Sequence, residues 1–509
     1  MNKRDFLTAL LLCLAGIAAV ALFLLSEAEG EQMPVRPTLD YTDEQIQQLG
    51  YFDLVAVKDE NTDLPCDIES WSTGDGFIHV VLPCNVSEDS VVVYIRDQNK
   101  TLLARRVYDF TRKVMIGSYE VLLEHHDLPA LYFESDEPDD FIKMNEGLPR
   151  EMICTGKLYT DAKENGRSFA AKGSLQGRGN ISWERSDSKR SYSLRFDEAY
   201  SMPGLGKSRS WNLVGNAFDP SLLKNVVFND ISKQAGIKFQ PKIGWVNLYV
   251  DGRYQGVYTL SDKIKAGKRR IPLGVGDYLF KLDPPTADQP VEFYSDVWLE
   301  GYEGRHRCDL IYPEEATGQQ KEDAKGIIDR FVRAVEDHDY NELARICDIN
   351  SLVRYYWIQE CSMNFDACDR SVYMYYLKSD GRIHFGPVWD MDLTLGFSFD
   401  KDGMLFDSPE GWRVREFGWF AELFMIPEFA KAAEDIYYND GIRDALFAGV
   451  YDFEEKRDEI GNDGRLNFLL FGYSNYGLTL DYGGDSYDEF CENLTRFYSD
   501  RINWIDSHM

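Results

Sequence analysis

The densest acidic motif in the sequence is Gly386-Pro387-Val388-Trp389-Asp390-Met391-Asp392. It follows a hairpin pattern: a strand over Ser371 to Lys378, a turn at Ser379-Asp380-Gly381, and a strand over Arg382 to Val388. Residues two apart on an extended chain point the same way, so Asp390 and Asp392 are expected to share a face at the strand end. Carboxylates held together repel and raise each other's pKa unless a cation lies between them. Oxygen-only ligands suit a hard divalent cation, Mg²⁺ (or Mn²⁺ or Ca²⁺). A bare D-x-D also occurs as an acidic strand end facing water; the Trp, Gly and Pro around this one argue for a buried, shaped site. A third acid, Asp366, stands in Asn364-Phe365-Asp366-Ala367-Cys368-Asp369, beyond a helix expected to end near Glu360. There it is either a convergent catalytic group or a turn former.

Complementary charge lies earlier in the chain. Gly173-Ser174-Leu175-Gln176-Gly177-Arg178-Gly179-Asn180 is a glycine-rich run whose backbone N–H groups can approach an anion closely. Next comes Lys189-Arg190-Ser191-Tyr192-Ser193-Leu194-Arg195-Phe196, which alternates. Lys189, Ser191, Ser193 and Arg195 take one face and Arg190, Tyr192 and Leu194 the other. Lys207, Arg209 and the run Asp219 to Asn225, which contains Lys224, follow. A lone glycine-rich loop says little. Joined to cationic strands and a distal acid cluster, it describes a cradle for nucleotide phosphates.

Those residues need a large scaffold to hold them. The chain has 509 residues, 44% apolar and 28% charged, which excludes disorder, collagen and a multi-span membrane protein as whole-chain readings. A formal charge of −31 argues against a nucleic-acid partner. Residues 152–270 run the other way, with 21 Lys and Arg against 10 Asp and Glu. At the N-terminus, Lys3 and Arg4 precede an uncharged apolar stretch from Phe6 to Leu25, so residues 1–28 are expected to be a signal peptide or signal-anchor helix. A polar linker is expected over 29–50, and a small all-β sandwich (Ig-like) module over 51–127, with strands near Ile78–Leu82, Val91–Ile95 and Ser118–Leu123. A larger α+β unit fills 128–509. Asp251-Gly252 is expected to turn a hairpin between Trp245–Val250 and Arg253–Leu260. Apolar spacing predicts a helix over about 321–338 and a second starting near Asn350 or Ser351. Of nine cysteines, eight lie in the exported part; Cys66 with Cys84 is the most plausible disulfide, and no paired C-x-x-C spacing suggests zinc.

Five motifs in order resemble the CotH family of secreted, spore-coat-type kinase-like proteins: G-R-G-N-x-S-W, K-R-S-Y-S-L-R-F, W-N-L-V-G-N-A-F-D-P-S-L-L-K-N, L-Y-V-D-G-R-Y-Q-G-V-Y-T-L and G-P-V-W-D-M-D-x-x-x-G. The resemblance runs from about Leu128 to Trp504. It implies an atypical protein-kinase-like fold, ATP with a divalent metal, and phosphorylation of exported proteins on Ser or Thr. By position, Asp366 matches the catalytic-segment acid, and Asp390 and Asp392 match the metal-binding W-D-x-D. Two departures stand out. Ser261-Asp262-Lys263-Ile264 replaces a frequent Thr-Glu-Lys-Ile, shortening the acid at Asp262 by a methylene. Arg190 and Arg195 occupy cationic positions in a strand that commonly reads K-K-x-Y-R-L-K, and Arg differs geometrically from Lys as a phosphate ligand. Candidate nucleotide-binding residues are thus Arg178, Asn180, Lys189, Arg190, Arg195, Lys224, Asn225 and Asp262, with Lys189 the first choice for orienting phosphates. The expected partners are an exported protein substrate, a nucleotide and, through the N-terminal segment, a membrane, at an extracytoplasmic or cell-surface location. The paired acids also suit a DxD-type glycosyltransferase or a glycosidase, and a non-catalytic envelope-assembly or adhesion protein with a kinase-like shape is the other reading.

Overall fold

A computed structural model describes most of residues 128–509 and, before them, the backbone of short strands. Stretches outside the described residues include 1–33, 147–149, 161–168, 180–182, 184–188, 284–299, 399–407 and 472–478. The expected leader or anchor, the strand expected at 118–123, the Cys66–Cys84 pairing and Asn180 therefore all fall outside what is described. Among the described residues, no helix is long and apolar enough to cross a membrane. The chain divides into two compact units, residues 1–126 with 249–255, and residues 127–248 with 256–509.

In the first unit, strands Phe52–Val57, Pro65–Cys66, Ser90–Asp97, Leu102–Asp109 and Val114–Gly117 form one five-stranded sheet. Pro34–Val35, Ser70–Gly74 and Phe77–Val81 form a second, three-stranded one. Every pairing is antiparallel. The pairing of Pro34–Val35 with Val80–Val81 brings part of the expected linker into a sheet.

Residues 130–262 contain a closed seven-stranded barrel, all of it in the second unit except 249–255. Its strands are β1 (Ala130–Ser135), β2 (Ile153–Thr160), β3 (Phe169–Arg178), β4 (Ser191–Met202), β5 (Gly206–Val214), β6 (Ile243–Val250) and β7 (Arg253–Asp262), in the order β2-β3-β4-β5-β7-β6-β1. Alternation decides what goes inside. Cys154, Leu175, Leu194 and Trp211 lie opposite one another across four strands, and all are fully buried. The next register row, Gln176, Ser193, Asn212 and Ser261, is polar and belongs to the opposite face. Asp251 adopts the left-handed conformation in the β6–β7 turn, as the Asp-Gly pair led one to expect.

After the barrel come a four-stranded antiparallel sheet and most of the helices, two others being inserted between barrel strands. The sheet has β8 (Tyr278–Asp283), β9 (Arg307–Tyr312), β10 (Val372–Leu377) and β11 (Arg382–Phe385) in the order β9-β8-β10-β11. Among the described residues the helices are α1 (Pro138–Glu146), α2 (Lys224–Gln234), α3 (Gly318–Glu336), α4 (Tyr340–Ile346), α5 (Ile349–Ser362), α6 (Gly418–Phe424), α7 (Pro427–Asn439), α8 (Ile442–Phe471) and α9 (Tyr487–Ser507). A Thr317–Gln320 capping box starts α3, which buries Ala324, Ile328, Phe331, Val332 and Val335, the stripe its spacing announced. Helix α5 begins earlier than its Asn350 or Ser351 cap predicts, because Asp348 is the cap and accepts from the Ser351 N–H at 2.7 Å. The Ser351 hydroxyl instead accepts from Phe385 N–H at 3.0 Å, tying α5 to β11. From Leu352 to Ser362 α5 is buried on almost every side. Each large apolar side chain such as Trp357 contributes roughly 1.5–3 kcal/mol there. Six described cysteines, Cys154, Cys308, Cys347, Cys361, Cys368 and Cys491, are buried.

Candidate active site

The two acids of the W-D-x-D motif do not lie on a strand. β11 ends at Phe385, and residues 386–391 continue as irregular chain in which Asp390 takes a left-handed conformation with φ 67°. Strand alternation therefore does not pair the acids. The left-handed Asp390 breaks that alternation, and its charge still bears on Asp392. Asp390 Oδ2 accepts from the Ser371 hydroxyl at 3.0 Å and keeps contact with solvent, whereas Asp392 is buried.

Asp392 stands among acids. Burial is the largest cause pushing its carboxyl up to about 8, and Asp390, Asp219 and Asp366 add to it while Lys224 opposes. Asp366 lies just past the left-handed Met363 that closes α5. Its backbone N–H is held by Asn364 Oδ1 at 2.9 Å, and its carboxylate pairs with Arg370 at 3.0 Å. Asp219, fully buried, accepts from the Ser221 hydroxyl and from Lys224 N–H at 2.9 Å, the first residue of α2. Burial also raises its carboxyl, despite Lys224. The Lys224 ammonium, itself fully buried, donates to Thr394 O at 2.7 Å, and burial lowers its pKa. Asn225 Oδ1 accepts from Met391 N–H at 2.9 Å, and its Nδ2 donates to Asn216, so α2 sets the backbone between the two aspartates.

Cations face this group from the barrel. Arg178, at the end of β3, lies 5.8 Å from the Trp389 ring centroid, and Asp390, Tyr373 and Asp392 support its charge against burial. Lys263, just past β7, donates to the Ser193 hydroxyl at 3.2 Å. Burial, then Arg178, Lys265, Arg195 and Arg270, bring its ammonium down to about 8. Lys263 and Lys265 border a cavity of about 120 Å³, whose wall also includes Lys242, Arg270, Ile264 and Ile271. Arg195 is exposed nearby, and Asp262 pairs with Arg270 at 2.6 Å.

The remaining cationic candidates go elsewhere. Lys189 is enclosed by the rings of Tyr258 and Phe471, donating to Val257 O and, at 2.7 Å, to Asn467 Oδ1 on α8. Burial pulls it well below its ordinary value. Arg190 lies against Trp183 and donates to the carbonyls of Trp183 and Asn145. The residues brought together are thus Asp366, Asp390, Asp392, Lys224, Asn225 and Arg178, with Asp262 in the wall of the adjoining cavity and Arg195 close enough to act on Lys263.

Sequence reasoning did not single out Asp219, Lys263, Ser371, Lys281 or Asp283. Lys281 on β8 pairs with Asp283, and Asp283 Oδ1 accepts from Ser371 N–H at 3.1 Å. Lysine on an otherwise apolar strand (Tyr-Leu-Phe-Lys-Leu-Asp) was the available signal.

Among the described residues, no group of three or more His, Cys, Asp or Glu side chains converges closely enough to hold a metal ion. The donor set nevertheless fits a hard divalent cation: the Asp390 and Asp392 carboxyls are neighbours, and Asp392 is forced up to about 8 despite the opposing Lys224 ammonium. Mg²⁺ commonly takes one or two carboxylates and completes its shell with water and substrate phosphates. No curated protein matches the chain. Residues 175–445, more than half of its length, match the family model described as CotH kinase protein, a span running from β3 through the sheet, the acid cluster and into α8. The chain therefore belongs to the CotH kinase family.

Proposed function

We propose that this protein is an exported, kinase-like phosphotransferase that moves the terminal phosphoryl group of ATP to Ser or Thr hydroxyls of secreted or envelope proteins. The observation that carries the reading is the gathering of the W-D-x-D segment, with Asp392 buried, against Lys224 and Asn225 on one side and the Arg178 cation at Trp389 on the other, within one compact unit. Phosphoryl transfer asks for positioning and charge neutralisation more than covalent work. Asp390 and Asp392 would hold a divalent cation, which when bound neutralises the phosphates. Arg178 and Lys263 hold phosphate oxygens, a role that the enclosure of Lys189 takes away from the first-choice residue. Lys224 and Asn225 fix the backbone carrying Asp392 and Met391. Asp366 orients the acceptor hydroxyl and takes its proton as the new P–O bond forms, while the electron pair of the breaking bond leaves with the nucleoside diphosphate. Export rests on the apolar stretch after Lys3 and Arg4.

Phosphate incorporation from labelled ATP tests the assignment. Asp366→Asn, Asp390→Asn and Asp392→Asn are each expected to lower it by about 10²-fold or more while the melting temperature stays near that of the parent. Normal incorporation by these variants would reject it. Nucleotide binding without turnover in the parent protein would favour the non-catalytic reading.

A further inference from the structure

We propose that Lys281 is a further catalytic residue, its ammonium contacting the transferred phosphoryl group together with the Arg178 guanidinium; the inference rests on the phosphotransferase reading above. β8 is buried on both sides, with Leu279, Phe280 and Leu282 almost wholly covered. Lys281 keeps 23% of its side chain open to solvent, and its partner Asp283 at the strand end keeps 27%. It lies opposite Tyr373 in the β8–β10 register, with its Nζ 5.7 Å from the Tyr373 ring centroid. Its partner Asp283 binds Ser371 N–H, and the Ser371 hydroxyl binds Asp390, so three successive contacts join Lys281 to the W-D-x-D acid.

The electrostatics agree with that placement. Burial works against the Lys281 charge, and Tyr373, Asp283 and Asp390 outweigh it, leaving a permanent cation. Asp390 and Tyr373 also support Arg178, so cations from the barrel and from the sheet meet at the same two residues. During transfer the bond from the terminal phosphorus to its bridging oxygen breaks, the pair passing to the diphosphate, and the acceptor oxygen bonds to phosphorus. Charge then spreads over the three peripheral oxygens, where fixed cations lower the barrier most.

Three variants test this: Lys281→Met, Lys281→Arg, and Lys281→Met with Asp283→Asn, which leaves no unpaired acid behind. Each is measured for inorganic phosphate release from Mg·ATP, and for binding of Mg·ADP with and without aluminium fluoride, which mimics the transferred group. Lys281→Met and the double variant are expected to lose about 10²–10³-fold in kcat and the extra tightness conferred by aluminium fluoride. Their Mg·ADP affinity should stay within about threefold, and Lys281→Arg should recover part of the rate. A double variant with parental kcat would overturn the proposal, because Lys281 would then serve only to neutralise Asp283. A parent protein that neither binds nor hydrolyses ATP would overturn the phosphotransferase reading and Lys281 with it. Parental turnover beside an unaffected Lys281→Met variant sinks Lys281 alone.

Discussion

Lys263 is a cation held against its surroundings. Burial and four neighbouring positive groups bring its pKa from 10.5 to about 8, so its charged form costs the folded protein free energy. That cost is fully present below about pH 8 and is relieved as the pH rises toward 10.5, where the unfolded chain also loses the proton. A bound polyanion reverses the preference and draws a proton onto Lys263. Mg·ATP affinity should therefore fall as the pH rises past 8, by up to about tenfold per unit, with proton uptake detectable by calorimetry in two buffers of different ionisation enthalpy. Lys263→Arg should flatten the profile, because guanidinium stays charged. The sequence showed this residue only as part of Ser261-Asp262-Lys263-Ile264, beside the acid that drew attention. Lys189 misled for the opposite reason. Its strand looked cationic, but the Asn467 that captures it lies 278 positions away. The pairing of Asp390 and Asp392 was legible in the motif, yet its cause was not, since nothing in the residue types announces a left-handed aspartate after Trp389.

The segment following the W-D-x-D motif is anchored from two helices. Glu360, on the last turn of α5, accepts from the backbone N–H groups of Arg413, Val414 and Arg415 at 2.7–2.9 Å. Arg501, on α9, pairs with Glu360 and also donates to the carbonyls of Pro409 and Gly411. Neither side chain of the pair reaches solvent. Removing one partner strands a buried charge, so Arg501→Met should cost about 3–5 kcal/mol in denaturant unfolding. A double replacement of both residues should recover part of that loss. Helices such as α3 were readable because apolar spacing and a capping box coincide locally. The clamp was not, because Glu360 and Arg501 are 141 residues apart and each looks like surface charge. The barrel's closure was equally hidden: its strands alternate as any half-buried sheet would, and only long-range pairing joins β1 to β2 and β6.

At the scale of the whole molecule, charge is segregated along the chain. Residues 152–270 carry a positive excess inside a protein of net charge −31, and they supply β3, β4, α2 and the end of β7 to the site. Local potential, not net charge, governs the approach of a small polyanion. Mg·ATP affinity should accordingly weaken as KCl rises from about 0.05 to 0.3 M, since a shorter Debye length screens the cations that face the cavity. Net repulsion dominating instead would make affinity rise with salt, and equilibrium titration at the two concentrations separates the cases. Counting charges was enough to find this asymmetry; placing its cations around the acids took the tertiary fold.

The hidden thiols make the protein its own strain gauge. Cys361 neighbours Glu360 and Cys368 stands two residues beyond Asp366, and both are fully covered. Alkylation at either position must wait until that part of the fold opens, so its rate reads out how often the catalytic turn or the clamp breathes. The slow-labelling protein would report a closed turn without any substrate in hand.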